Sequence, residues 1–387
     1  VIYNKSVFRD YALYFDDEGD FTDDETQFSA GPDGEKGTSD DGLPATYKQF
    51  LQLCEQIGLT KEVTPFVLSG QYKDSYVLYF LDAIATAYNG NEISKASYTF
   101  GGKIKYVTQV EENPNAAFGY GLQLAEENLT EAKGYLTKQT AGKFYALALL
   151  KDLISTGCFD SDSLADTVSH LDAQETFLTS ELKNKPIAML IDGSWWENEA
   201  KDAFARAVNL YGEENASKYN RDFGWMPLPC KADDTDGNEG NPYAVLNYIN
   251  AYGFIKSNID PNKIALAKDF LKFCYTAESL EKFTEITGTA RFLNYPIADS
   301  VLNKMSPYGK EIWKIHQGGN VISTLSESKL LINKESDFTT GKWITSAGGG
   351  YSSPFTCFRT NSALTVKQYY EGMLITEAQW RDKYGAY

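Results

Sequence analysis

Short continuous apolar runs alternate along the chain with apolar stripes at a spacing of three to four, the blocks being separated by glycine, proline and acidic residues. The most complete example is Pro186 to Ala207, "PIAMLIDGSWWENEAKDAFARA". Ile187 to Ile191, flanked by Pro186 and Gly193, reads as a strand covered on both faces. Ser194 followed by Glu197 matches a capping box, so a helix is expected to begin at Ser194 with Trp195 and Trp196 at its first two positions. Ala200, Phe204, Val208 and Tyr211 supply the core-facing stripe, and Gly212 the stop.

The same rhythm places further elements. Val1–Tyr3 reads as a strand end, and Thr46 caps a helix with Phe50, Leu51, Cys54 and Ile57 on one face, ended by Gly58. "TPFVLSG" is a strand, Asp74 to Tyr88 a helix stopped by "NGN", and Gln139 to Thr156 a helix with Phe144, Leu147, Leu150 and Ile154 on one stripe. Leu171 to Leu182 is helical, "DFGWMPLPC" a strand carrying Trp225, and Asn247 to Ser257 a strand with Tyr252 and Gly253 in its middle. Asp260-Pro261 starts a helix that runs to about Tyr275, a second covers Ser279 to Thr287, and a last runs from about Thr365 to Lys383. Strands alternating with helices indicate an α/β protein.

Two acidic loops interrupt this pattern. Asp16 to Pro44 holds eleven acidic residues against a single lysine, and Ala232 to Pro242 is a second, weaker case. Such a loop cannot bury an apolar core of its own. It is either a solvated insertion or a calcium loop with oxygen ligands around Asp33, Asp40 and Asp41, although neither block has the EF-hand spacing. "TSAGGGYSSPF" has the glycines of a phosphate loop and lacks its Lys-Ser/Thr ending, which argues against nucleotide binding.

Composition narrows the chemistry. The 387 residues suffice for one large core or two domains. A net charge of -17 argues against nucleic acid or an anionic membrane as partner. Five well-separated cysteines without a CxxC pair read as buried thiols, and two histidines nearly exclude a histidine metal site or triad. No apolar run approaches the ~20 residues of a membrane span. The 26 tyrosines suit surfaces that grip a hydroxylated ligand. In open α/β sheets, ligands lie outside the carboxyl ends of strands, where helix N-termini point. Trp195 and Trp196 stand at such a place beside Asp192, Glu197 and Asn198, offering flat apolar faces and polar groups together, as a sugar ring requires. The alternative is that both tryptophans are core.

Several stretches, in the same order, resemble the family 1 extracellular solute-binding proteins of bacterial ABC importers, the group that includes maltose-binding protein. "IYNKSVF" resembles the family's "YYNKDLF", and "LPATYKQFLQLCEQI" its "P-x-T-W-x-E-F" helix with Tyr47 in place of tryptophan. "LDAQETFLTSELKNKPIAMLIDGSWW" and "AYGFIKSNIDPNKIALAKDFLKFCYTAESLEKF" resemble two further family segments. The resemblance implies a two-lobed α/β periplasmic-binding-protein fold (type II) that closes on a ligand in its cleft. It implies residues 1–245 in the C-terminal lobe, with the acidic insertion 16–44, a segment 246–315 returning to the N-terminal lobe, and 316–387 as C-terminal-lobe helices and tail. The family places much of one lobe ahead of "YNK", so part of the N-terminal lobe is expected to be missing from this sequence.

The function implied is a monomeric extracellular lipoprotein that captures an oligosaccharide and delivers it to ABC permease subunits, without catalysis. Tyr3 and Trp195 match family positions whose rings stack on sugar, and Tyr351 lies where the C-terminal segment supplies another. Trp196, Trp225, Tyr252, Asp192, Glu197 and Arg291 join them by position alone. A peptide or polyamine is an alternative solute. A glycoside hydrolase using Asp192 and Glu197 is the enzymatic alternative, weakened because Glu197 is expected to serve the capping box. No cofactor is expected beyond calcium as a structural ion.

Overall fold

The computed structural model describes residues 1–247, 256, 258–324, 330, 341–345 and 352–385. The chain opens with β1 (Ile2–Asn4), α1 (Lys5–Asp10) and the small pair β2 (Tyr14–Phe15) and β3 (Phe21–Thr22). α2 (Tyr47–Thr60), β4 (Thr64–Val67) and α3 (Lys73–Thr99) follow, then β5 (Lys103–Glu112) and β6 (Tyr120–Asn128). α4 (Ala141–Ser155), α5 (His170–Ser180), β7 (Ile187–Leu190), α6 (Trp196–Glu199), α7 (Lys201–Tyr211), α8 (Glu213–Ala216) and β8 (Phe223–Trp225) complete the first two thirds. Next come β9 (Val245–Asn247), α9 (Pro261–Cys274), α10 (Ala277–Thr287), α11 (Asp299–Leu302), α12 (Pro307–Gln317) and β10 (Val321–Ser323). Three helices, Pro354–Thr360, Val366–Met373 and Glu377–Tyr384, close the described chain.

The central sheet has the order β4-β7-β1-β8. β4 runs parallel to β7, and β1 is antiparallel to both β7 and β8, so β4, β7 and β8 share one direction. Period-two alternation divides its side chains. Tyr3, Phe66 and Met189, in register, enter the larger core with α2, α3, α4 and the helices 354–373. Ile2, Val67 and Leu190 enter a second core with Phe177, Trp196, Phe204, Phe223 and Tyr308. A third core gathers Tyr98, Phe100, Ile104, Leu136, Trp380 and Tyr384. Burial on both faces is why these strands read as continuous apolar runs.

Helix starts follow the capping chemistry in most places. Thr46 accepts from Gln49 N and Asp260 from Asn262 N, while Pro261 sits at the first turn of α9. α2 runs past Gly58 and ends where Lys61 turns left-handed at φ 55°. The expected break at "NGN" is a kink: Gly90 adopts φ 69°, ψ 179°, and the chain resumes helical geometry as far as Thr99. The expected last helix is two helices, because Leu374 turns to extended geometry and Thr376 starts a second capping box with Gln379.

Three differences from the sequence reading bear on the site. The capping box of Ser194 and Glu197 does not form: α6 begins after Trp195 with no side-chain cap, and α7 starts separately at Lys201. The reason is that Glu197 turns inward. The hairpin β5–β6, with a bulge between Val107 and Gln109, was not expected at all. Of the predicted strand from Asn247 to Ser257, only its first residue, in the short β9, is described in a strand, and β9 pairs in parallel with β10. Among the described residues no helix is long and apolar enough to cross a membrane.

Candidate ligand-binding site

A cavity of about 440 Å³ lies at the carboxyl ends of β7 and β8. Its floor is formed by residues just beyond the strands of the sheet: Val1 before β1, Ile191 after β7, and Met226 and Leu228 after β8. One wall is the turn Asp192–Trp195 with Trp225, and a second is α3, which contributes Tyr76, Tyr79 and Phe80. Phe283 from α10 and the segment Thr289–Phe292 face them, with Ala244–Asn247 beside. Placement outside strand ends is what the direction of the sheet dictates, because loops, not strands, can present side chains there.

Trp195 is 36% exposed. Its ring rests on Gly193, where an added Cβ would come within 2.3 Å of Trp195 Cη2. Gly193 therefore gives the ring a flat seat. Behind it, Asp192 accepts from Gly193 N at 2.6 Å and from Gln174 Nε2 at 2.9 Å. Burial pushes the Asp192 carboxyl up to about 6 in spite of those two donors. Arg291 brings a cation to the wall, its guanidinium 5.6 Å from the Phe283 ring centroid. Asn247 donates to Phe292 O at 3.1 Å, which ties the end of β9 to the segment Thr289–Phe292.

The cavity thus brings together four of the expected residues, Asp192, Trp195, Trp225 and Arg291. Three others lie elsewhere. Tyr3 is buried in the larger core, edge-on to Phe8 at 4.9 Å, because it sits inside a central strand; Val1, two residues earlier on the same face, is the one that reaches the cavity. Trp196 is fully buried among Phe177, Phe204, Phe223 and Tyr308. One residue on from Trp195, the helical step of about 100° turns its side chain away from the cavity and into the second core. Glu197 is also buried, accepting from Ser306 Oγ at 2.6 Å, and burial raises it to about 7. Ser306 in turn caps α12 by accepting from Gly309 N. Tyr252 and Tyr351 lie outside the described residues.

The acidic loop spends its carboxylates on its own amides. Asp40 is fully buried and accepts from Asp33 N at 3.1 Å, Asp33 accepts from Glu35 N, and Asp41 accepts from Gly37 N at 2.7 Å. Among the described residues no three acidic, histidine or cysteine side chains are gathered to hold a metal ion.

Tyr76, Tyr79, Phe80, Phe283 and Phe292 line the cavity without having been expected there. Tyr76, Tyr79 and Phe80 recur at a spacing of three to four, which is also the signature of a core stripe.

Neither a family model nor a curated protein sequence matches the chain. Solved structures do. A chitin oligosaccharide binding protein matches with TM-score 0.55 at 17% identity, over 99% of this chain and 68% of its own. A structure described as giving insights into xylan utilization by the thermophilic bacterium Caldanaerobius polysaccharolyticus matches with TM-score 0.51 at 13% identity, over 96% and 69%. At these identities the likeness shows the fold. The chain has the two-lobed α/β fold of solute-binding proteins.

Proposed function

We propose that the chain captures an oligosaccharide in the cavity between β7, β8, α3 and α10 and passes it to the permease subunits of an ABC importer at the outer face of a cell membrane. The observation that carries this reading is the pairing of Trp195 and Trp225 with Asp192 and Arg291 in one cavity at the strand ends. Flat rings take the C–H faces of pyranoses, each square ångström of apolar area buried contributing about 25 cal/mol. Carboxylate and guanidinium take hydroxyls and set orientation more than energy. The fold shared with a chitin oligosaccharide binding protein supports the same reading.

The reading is one of capture without chemistry. Glu197, the partner expected for Asp192 in glycoside hydrolysis, points into the second core and is engaged by Ser306, while Glu199, the carboxylate that does approach Asp192 through Gln174, does not line the cavity. Asp192 is the one carboxylate among the described residues lining the cavity, and one carboxylate there does not supply both acid and nucleophile. Titration of chitin, xylan and maltodextrin oligosaccharides, followed by heat release and tryptophan emission, tests the proposal. Saturable binding of one class, abolished by Trp195→Ala, is expected. Binding of a peptide or polyamine with no response to any sugar would overturn it.

A further inference from the structure

Gln174 on α5 is fully buried, yet it does not line the cavity. Its Nε2 donates to Asp192 Oδ2 at 2.9 Å and to Glu199 Oε2 at 2.8 Å. Asp192 and Glu199 bracket the segment that holds Gly193, Trp195 and the short helix α6. One amide therefore joins the two ends of the turn on which Trp195 stands. The orientation of that amide is fixed by charge: only the NH2 group attracts two carboxylates, and the reverse placement would aim a carbonyl at both. The cost is visible on the other atom, since Gln174 Oε1 has no hydrogen-bond partner among the described residues. A buried amide carrying an unmatched oxygen is retained where its other half has a task.

We propose that Gln174 is the positioning residue of the pocket's tryptophan, clamping Asp192 to Glu199 so that the turn holds Trp195 in one orientation against Gly193. The part that concerns ligand affinity rests on the carbohydrate reading above; the clamp itself does not. Without the amide, two carboxylates face each other with no proton donor between them, and the turn must open or take up a proton. The other groups near Asp192 are His170 on α5, Tyr76 on α3 and Tyr308 on α12. His170 Nε2 stands 3.9 Å from Glu199 Oε1, so protonated His170 reinforces the same side of the clamp.

The test is a pH titration of tryptophan emission on the ligand-free chain. Wild type is expected to show an inflection near the Asp192 transition, at about 6. Trp195→Phe is expected to lose it. Gln174→Met should move it upward by about half a pH unit or more, because a hydrogen bond to the charged form has been removed. Oligosaccharide affinity at pH 7 should fall about fivefold, the effect of an aromatic that must be ordered on binding. With the separate transition of Glu197 near 7 removed by Glu197→Gln in every variant compared, an inflection near 6 that stays put in Gln174→Met, or survives in Trp195→Phe, overturns the proposal. Should Gln174→Met fail to fold, Glu199→Gln takes its place. By removing the opposing charge it should move the inflection downward, and no movement is again a refutation. If no oligosaccharide binds wild type while the inflection moves as stated, the carbohydrate reading fails and the clamp stands.

Discussion

Two adjacent tryptophans with the same side chain stand in opposite environments, Trp195 at the cavity and Trp196 in the second core. Trp195→Ala is expected to weaken sugar binding by roughly 1 kcal/mol or more with little change in stability, since its ring is already partly in solvent. Trp196→Ala should instead cost about 3–5 kcal/mol of folding free energy, the usual toll of emptying a large buried aromatic site. Urea titrations of both variants beside binding isotherms separate the two. Glu197 carries a third expectation, in pH. Its folded carboxyl titrates at about 7 against an ordinary 4.5, so the folded state holds a proton that the unfolded chain has already released. The associated stability is present below about 4.5 and lost as pH rises to about 7, a change on the order of 3 kcal/mol. Glu197→Gln should flatten the curve of urea midpoint against pH across that interval. An unchanged slope would place the proton elsewhere.

At the scale of elements, the unit from β7 to α7 is the part most readily foreseen, and its details show where sequence stops informing. The strand, the turn and the stripe of Ala200 and Phe204 follow from local pattern, and the stop at Gly212 is where the helix ends. The capping box failed because Ser306, more than a hundred residues away, offers Glu197 a buried partner that no local window contains. The hairpin β5–β6 was missed for a related reason. Its burial is confined mostly to β5, with Ile104, Val107 and Val110 buried while β6 has no buried residue, and its turn "NPNAAFG" is not one of the tight two-residue kinds. The cavity's α3 wall was invisible because a binding stripe and a core stripe have the same period. Gly193 gives this scale its prediction. No positive φ is needed there, so Gly193→Ala acts through contact alone: the new methyl must displace the Trp195 ring. Sugar affinity should fall toward that of Trp195→Ala while the urea midpoint stays within about 1 kcal/mol of wild type, as expected for a substitution outside the core.

For the molecule as a whole, one α/β fold carries a sheet covered on both faces and a cavity where its strand ends meet α3 and α10. A ligand held there touches segments far apart in sequence, so binding should stabilise them together. With free sugar at about 100 times its dissociation constant, the unfolding free energy is expected to rise by about 2.7 kcal/mol, read as a shift in thermal midpoint. The two-lobed class was legible from the sequence because its motifs recur in order along the chain; which aromatic faces the cavity was not, since that depends on packing between distant segments. The third core adds a consequence of a different kind. Trp380 lies against Gly134, where a Cβ would come within 2.0 Å of the ring, and donates to Glu131 O at 2.7 Å. The partner that fills this core is thus made some 249 residues after the turn that receives it. On the ribosome, Tyr98, Phe100, Ile104 and Leu136 must wait, uncovered, until residues 377–384 have emerged. At about 5–20 residues per second that wait is on the order of ten seconds to a minute, long enough for chaperones to act on it.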